Sequence, residues 1–123
     1  MSVPAADLVW NRACDGGGRN PRAGDSALAA LLLCHGYAMN GGVFYAVDGL
    51  DGTELEKAAD GYRFFGLEAV AALLDRAAKT PPADRIAMEP ALDSEYARLA
   101  SDSLLTERFT RRFRAHPELF APM

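Results

Sequence analysis

The chain is short of several things that would announce a function. Its 123 residues include two cysteines, two histidines, one tryptophan and two lysines. Two cysteines make no disulfide framework, and a chain of this length buries enough surface to fold without one. Cys14 and Cys34 are therefore expected to be idle thiols. A zinc site would have to use both of them with both His35 and His116, and that spacing matches no finger pattern. No lysine precedes Lys57, so the paired glycines at 41 and 42 lack the cation of a phosphate-binding loop, and a helix rather than a strand is expected before them. The longest uninterrupted apolar run, Ala27 to Cys34, has eight residues, against the ~20 that cross a bilayer. It also lacks the position and flanks of a secretion signal. A soluble, cytoplasmic protein with no metal, no cofactor and no membrane contact is expected. A basic excess is missing too. The net charge of −4 removes the usual footprint of a direct nucleic-acid binder.

What is present is apolar residues, half of the chain, set at helical spacing. Ala5–Cys14 reads as a helix turning Leu8, Val9 and Trp10 inward. DGGGRNPRAG, residues 15–24, carries no periodicity and reads as a loop. Asp25 or Ser26 is expected to cap a helix whose Leu28, Leu31, Leu32 and His35 share one face, ending between Ala38 and Gly42. Thr53-Glu54-Leu55-Glu56 has the form of a capping box. Leu55, Ala58, Ala59, Tyr62 and Phe65 recur inward behind it, with Gly61 towards the polar side and Gly66 placed to end the helix in a left-handed turn. Leu67–Lys79 follows, with Leu67, Val70, Ala71, Leu74 and Ala78 inward, and Thr80-Pro81-Pro82 stops it. After a loop come a short helix over Ser94–Ala100 and a last one marked by Leu105, Phe109 and Phe113, capped within Ser101–Ser103. His116-Pro117 closes it, and Leu119 and Phe120 are expected to fold back. No segment alternates with period two. The expected fold is a single compact all-α domain of five to seven helices, with residues 1–24 an N-terminal helix plus loop and 25–123 the helical core.

Charge is uneven along this framework. Residues 40–75 hold Asp48, Asp51, Glu54, Glu56, Asp60, Glu68 and Asp75 against Lys57 and Arg63, a net of −5, whereas residues 103–123 carry +2 through Arg108, Arg111, Arg112 and Arg114. The acids do not form a calcium loop: counting from Asp48, the third, fifth and twelfth positions are Leu50, Gly52 and Ala59. Cys34 and His35 are neighbours on a helix and diverge by about 100°, so they form no nucleophile–base pair with each other. The glycines at 41 and 42 read as architecture, with Asn40 capping the next helix and the glycines admitting a neighbouring backbone.

From Leu31 to Lys79 the chain resembles a bacterial family of small all-helical domains that includes a characterised DNA-mimic protein. The marks are Met39-Asn40-Gly41-Gly42 after an apolar helix, the acidic loop and helix, and Phe65-Gly66-Leu67 leading into an alanine-rich helix. His116-Pro117-Glu118-Leu119-Phe120 is similar to that family's tail. The family commonly places an aromatic, a glutamine and two further aromatics after its double glycine. Here the run is Val43-Phe44-Tyr45-Ala46-Val47, so no role of that glutamine carries over.

The resemblance implies a helical domain that binds proteins and leaves a homodimer open, and a non-enzymatic bacterial interaction domain is the expected function. Asp48, Asp51, Glu54, Glu56 and Asp60 form the candidate docking surface for a basic partner such as a DNA-binding regulator, while Asn40, Gly41, Gly42 and Gly66 are structural. Two alternatives stand beside this: an immunity-type protein that blocks a toxin, and a small-molecule or enzymatic domain with a pocket near Asn40-Gly41-Gly42 that draws on His35, Tyr37 and Tyr45.

Overall fold

The computed structural model describes residues 4–123, with no strand among them. The chain is all-α, as its periodicities require. Its helices are α1 (Ala5–Cys14), α2 (Ala23–Gly41), α3 (Val43–Gly49), α4 (Gly52–Phe64), α5 (Glu68–Lys79), α6 (Arg85–Leu99) and α7 (Asp102–Ala115). Single 3₁₀ turns occupy Pro82–Asp84 and Pro117–Leu119.

The long α2 is apolar around most of its circumference, and a helix of that kind must be surrounded to be stable. It packs on α1, α3, α4 and the C-terminal turn, most extensively on α4. The reason is Gly61. Far from sitting on a polar face, it is buried, and a Cβ there would drive into the carbonyl oxygen of Ala27 on α2. The missing side chain lets the two helices approach until Ala58 and Tyr62 are wholly enclosed beside Leu31.

The start of α2 also differs from expectation. The helix begins at Ala23, so Asp25 is not its N-cap residue but lies in the first turn, where its side chain supplies the reach-back half of a capping box. Its carboxylate, fully buried, accepts from the Arg22 backbone N–H (3.0 Å), from Arg12 Nη2 on α1 (2.8 Å) and from the Ala121 backbone N–H (2.7 Å). Arg12 continues to the carbonyl of Ala121 at 2.8 Å. Both ends of the chain are thereby tied to one carboxylate, which is how a buried charge is tolerated.

The corner after α2 turns through Gly42, whose φ of 94° suits glycine. Asn40 caps nothing: it is exposed in the last turn of α2. The free Val43 N–H at the start of α3 donates instead to Asp93 Oδ1 of α6 (2.9 Å), and a Cβ on Gly42 would meet that carboxylate. The glycines admit side chains here, not backbone. Tyr45 lies over Gly41 and Tyr37 over Gly49, their rings 5.6 Å apart.

The capping box of α4 sits two residues earlier than Thr53: Glu54 N–H donates to Asp51 Oδ1 (2.7 Å), and Asp51 N–H to Glu54 Oε1 (3.0 Å). At its other end Gly66, with φ 77°, completes a Schellman turn in which Leu67 N–H bonds Tyr62 O and Gly66 N–H bonds Arg63 O. In α5 Ala71 is inward as expected, but near the helix end it is Ala77 that is buried, while Ala78 faces out.

Residues 85–93, expected as loop, belong to α6 despite Pro90 inside it. Proline in a helix interior costs about 3 kcal/mol, and tertiary contacts offset this. Leu92 and Tyr96 are buried, and Arg85 binds Asp48 at 2.6 Å while lying over the Phe44 ring. Ser101 caps α7 through Leu104 N–H, and Phe120 folds back among Phe65, Phe109 and Phe113, as the sequence indicated.

Two substitutions test these contacts by urea denaturation. Gly61→Ala gains helix propensity worth about 1 kcal/mol yet is expected to lose about 1–3 kcal/mol net, because a backbone carbonyl must move. Gly52→Ala, with open space around the added methyl, serves as the control and is expected to lose nothing. Asp25→Ala is expected to cost about 3 kcal/mol, the value for stranding one partner of a buried pair.

Candidate functional site

The five acids singled out by the sequence lie at the end of α3 and along α4, and four have work within the fold. Asp48 holds Arg85, Asp51 and Glu54 form the capping box, and Asp60 holds Arg63 at 2.9 Å. Glu56 alone of the five has no charged or hydrogen-bonding partner among the described residues. Glu68 and Asp75 of α5 add carboxylates on the neighbouring helix, partnered by Arg63 at 3.9 Å and Lys79 at 3.0 Å. These pairs are exposed, and such pairs contribute only a few tenths of a kcal/mol to about 1 kcal/mol each. The carboxylates are thus held in place weakly and can exchange partners. Gly41, Gly42 and Gly66 serve the turns at the ends of α2 and α4. The C-terminal arginines are partly absorbed too: Arg108 and Arg111 reach Glu107, and Arg112 lies 4.5 Å from the centre of the Phe64 ring.

An open groove of about 870 Å³ follows the outer face of α2, from Cys14 near the end of α1 to Asn40 and Tyr45. His35, Tyr37, Asn40 and Tyr45 all border it. Its floor is small and apolar, with Ala29, Ala30 and Gly36 beside the exposed Leu33. His35 is not a free base at this edge. Its Nε2 lies 2.9 Å from Asp102 Oδ1 and its Nδ1 2.7 Å from Tyr96 Oη.

Those contacts open onto a polar chain through the core that sequence spacing could not reveal. Tyr96 Oη is 2.6 Å from Tyr62 Oη, and the Cys34 thiol is buried in the same part of the core. In the neutral imidazole, Asp102 accepts from Nε2–H, leaving Nδ1 to accept from Tyr96. Tyr96 then accepts from Tyr62. Every donor in the sequence has an acceptor, which is the condition for burying such groups. Cys34 and His35 do diverge on α2, and the bonds from His35 run to Tyr96 of α6 and on to Tyr62 of α4. Desolvation pushes the Cys34 thiol up to about 11, and burial raises both tyrosines above their ordinary value. At neutral pH Cys34 is a thiol, and the thiolate is the nucleophile. The arrangement is a structural tie among α2, α4, α6 and α7.

Its pH dependence has a definite sign. Cys34 keeps its proton in the fold above the ordinary thiol value of 9.0, whereas the unfolded thiol loses it there, so the unfolded state binds fewer protons and stability falls as pH rises. Stability is expected to be full below pH 9 and to decline as pH approaches about 11, with the tyrosines adding to the loss beyond 10. Denaturant titrations across this range should show the slope, and Cys34→Ala should flatten its lower part.

Among the described residues no helix is long and apolar enough to cross a membrane. The chain has no significant match among curated proteins or among solved structures. Residues 22–121 match the family described as DMP19-like protein, named for DNA mimic protein 19. The match runs from the first turn of α2 to the tail that Asp25 holds, taking in α6 and α7 as well as the segment that first suggested the resemblance. A match over most of the chain settles its affiliation: this protein belongs to the DMP19-like family.

Proposed function

We propose that this chain is a non-enzymatic interaction domain that docks on a basic protein, such as a DNA-binding regulator, through the acidic surface of α3 and α4. Membership of a family named for a DNA mimic supports a protein partner. The observation that carries the surface is the run Asp48, Asp51, Glu54, Glu56 and Asp60, with Glu56 exposed and lacking an internal partner among the described residues. Asp51 and Glu54 stabilise the start of α4 and still present charge, since their bonds are to backbone N–H groups. Opposed surfaces of this kind steer encounter and select partners more than they add raw affinity. A basic toxin would fit the same chemistry as a regulator.

The exposed apolar face of α2 favours a second element of the reading, a homodimer. Leu33 and Met39 stand in solvent on the outer face of this apolar helix, and a second copy seated in the groove would cover the first of them. Sedimentation of the wild type against Leu33→Glu checks this, with a monomeric wild type overturning the dimer.

The docking surface is tested by affinity capture from a lysate of the native organism, using the wild type and a Glu56→Lys, Asp60→Lys variant. The captured protein is expected to carry a basic face. Its affinity should fall by roughly tenfold or more as salt rises from low to physiological strength, and by a similar factor on charge reversal. Partners without a basic surface, or binding indifferent to both changes, would remove the proposal.

A further inference from the structure

Glu56 does not stand on a flat surface. It borders a cleft of about 240 Å³ between α4 and α5. The tight turn at Gly66 folds the two helices into a hairpin, so Gly52 at the start of α4 and Ala78 near the end of α5 share one cleft. Its floor is apolar: Leu74 and Ala71 are fully buried, and Leu55 and Ala59 partly so. Three of the lining positions are alanine, and the space exists because their side chains are short. At the rim stand two exposed carboxylates from different helices, Glu56 of α4 and Asp75 of α5. Arg63 lies towards the turn, held by Asp60 and Glu68.

We infer that this cleft is the seat of one long cationic side chain of the docked protein, arginine above lysine, which rests on the docking surface proposed for α3 and α4. Size is the first reason. Pockets that enclose metabolites or drug-sized molecules begin at about 300 Å³, and this one, at about 240 Å³, falls below that while leaving room for a single side chain. Shape and polarity are the second. Arginine and lysine lay an apolar stem along hydrophobic surface and keep the charged head at its edge, which is the order in which floor and rim are arranged here. Charge is the third. Glu56 lacks an internal partner among the described residues, and Asp75 is held only by the exposed Lys79 four residues on, a pair worth a few tenths of a kcal/mol. An incoming guanidinium can displace Lys79 and take both carboxylates, and its planar fork suits two acceptors better than a point charge does. Arg63 repels a second cation from the turn end and so sets the head at the Glu56–Asp75 end. An arginine buried at the centre of a contact is also the kind of residue that dominates binding energy at interfaces.

The test needs no natural partner. The isotope-labelled protein is titrated with N-acetyl-L-arginine amide, with N-acetyl-L-lysine amide and with the uncharged N-acetyl-L-norleucine amide. Saturable shifts are expected at the Ala59, Ala71 and Ala78 methyls and the Glu56 amide, strongest for arginine and weaker by about tenfold for norleucine. Ala78→Leu, on an exposed position, and Ala59→Leu fill the cleft without touching a charge, and each is expected to abolish the shifts while the melting temperature stays within a few degrees. Glu56→Gln is expected to weaken arginine binding by about tenfold. Shifts that survive Ala78→Leu, that spread equally over remote acids such as Asp7 and Glu89, or that norleucine reproduces would overturn the inference. The two proposals fail separately. A captured basic partner that Glu56→Lys, Asp60→Lys releases but Ala78→Leu retains would leave the docking surface standing and remove the cleft. Arginine binding in the cleft with a partner indifferent to charge would do the reverse.

Discussion

The close approach of α2 and α4 at Gly61 governs the arrangement of everything else. Without a side chain at that position the α4 backbone settles against the Ala27 carbonyl, and the next residue, Tyr62, is carried wholly into the interior. A phenol buried that completely must find partners, since an unsatisfied hydroxyl inside a core is costly. It finds the hydroxyl of Tyr96 on α6, and the chain of bonds then runs through His35 on α2 to Asp102 at the start of α7. One glycine thus leads, through hydrogen-bond satisfaction, to the placement of four helices.

The same packing separates the two surfaces that the molecule presents. One face of α4 is taken up by α2. Its remaining circumference carries Glu54 towards the groove along α2 and Glu56 towards the cleft with α5. Acids close in sequence therefore point to different sides, and a tally of charge over residues 40–75 overstates any single patch. Internal pairing reduces it further, with Asp48, Asp60, Glu68 and Asp75 each facing a cation. What is left is a modest negative surface with defined relief. Relief adds to what charge alone can do, because steering brings any basic protein close.

The chain closes on itself by a different device. Asp25 accepts from both ends of the molecule, and the aromatic tail around Phe120 seals the space next to it over Gly24. The glycines of the preceding loop, Gly16, Gly17 and Gly18, all take positive φ, so the segment that looked structureless is a tight reversal bringing Arg12 of α1 onto Asp25.

By itself the sequence determined that the fold is all-α, most of the helices' inward faces, the turn at Gly66, the cap at Ser101 and the return of Phe120. These depend on interactions within a few residues, where periodicity and capping chemistry are written directly in the order of side chains. Tertiary structure decided what depends on meeting across the fold. The cap of α3 comes from Asp93, fifty residues on, so Asn40 was the nearest candidate and the wrong one. The helix through Pro90 persists because Asp48, Phe44 and the core hold its flanks, which no propensity can show. Gly61 reads as a surface position until α2 lies against it. The acids were legible as a run, but which of them remain free, and which border a cleft, emerged only once α4 and α5 stood side by side.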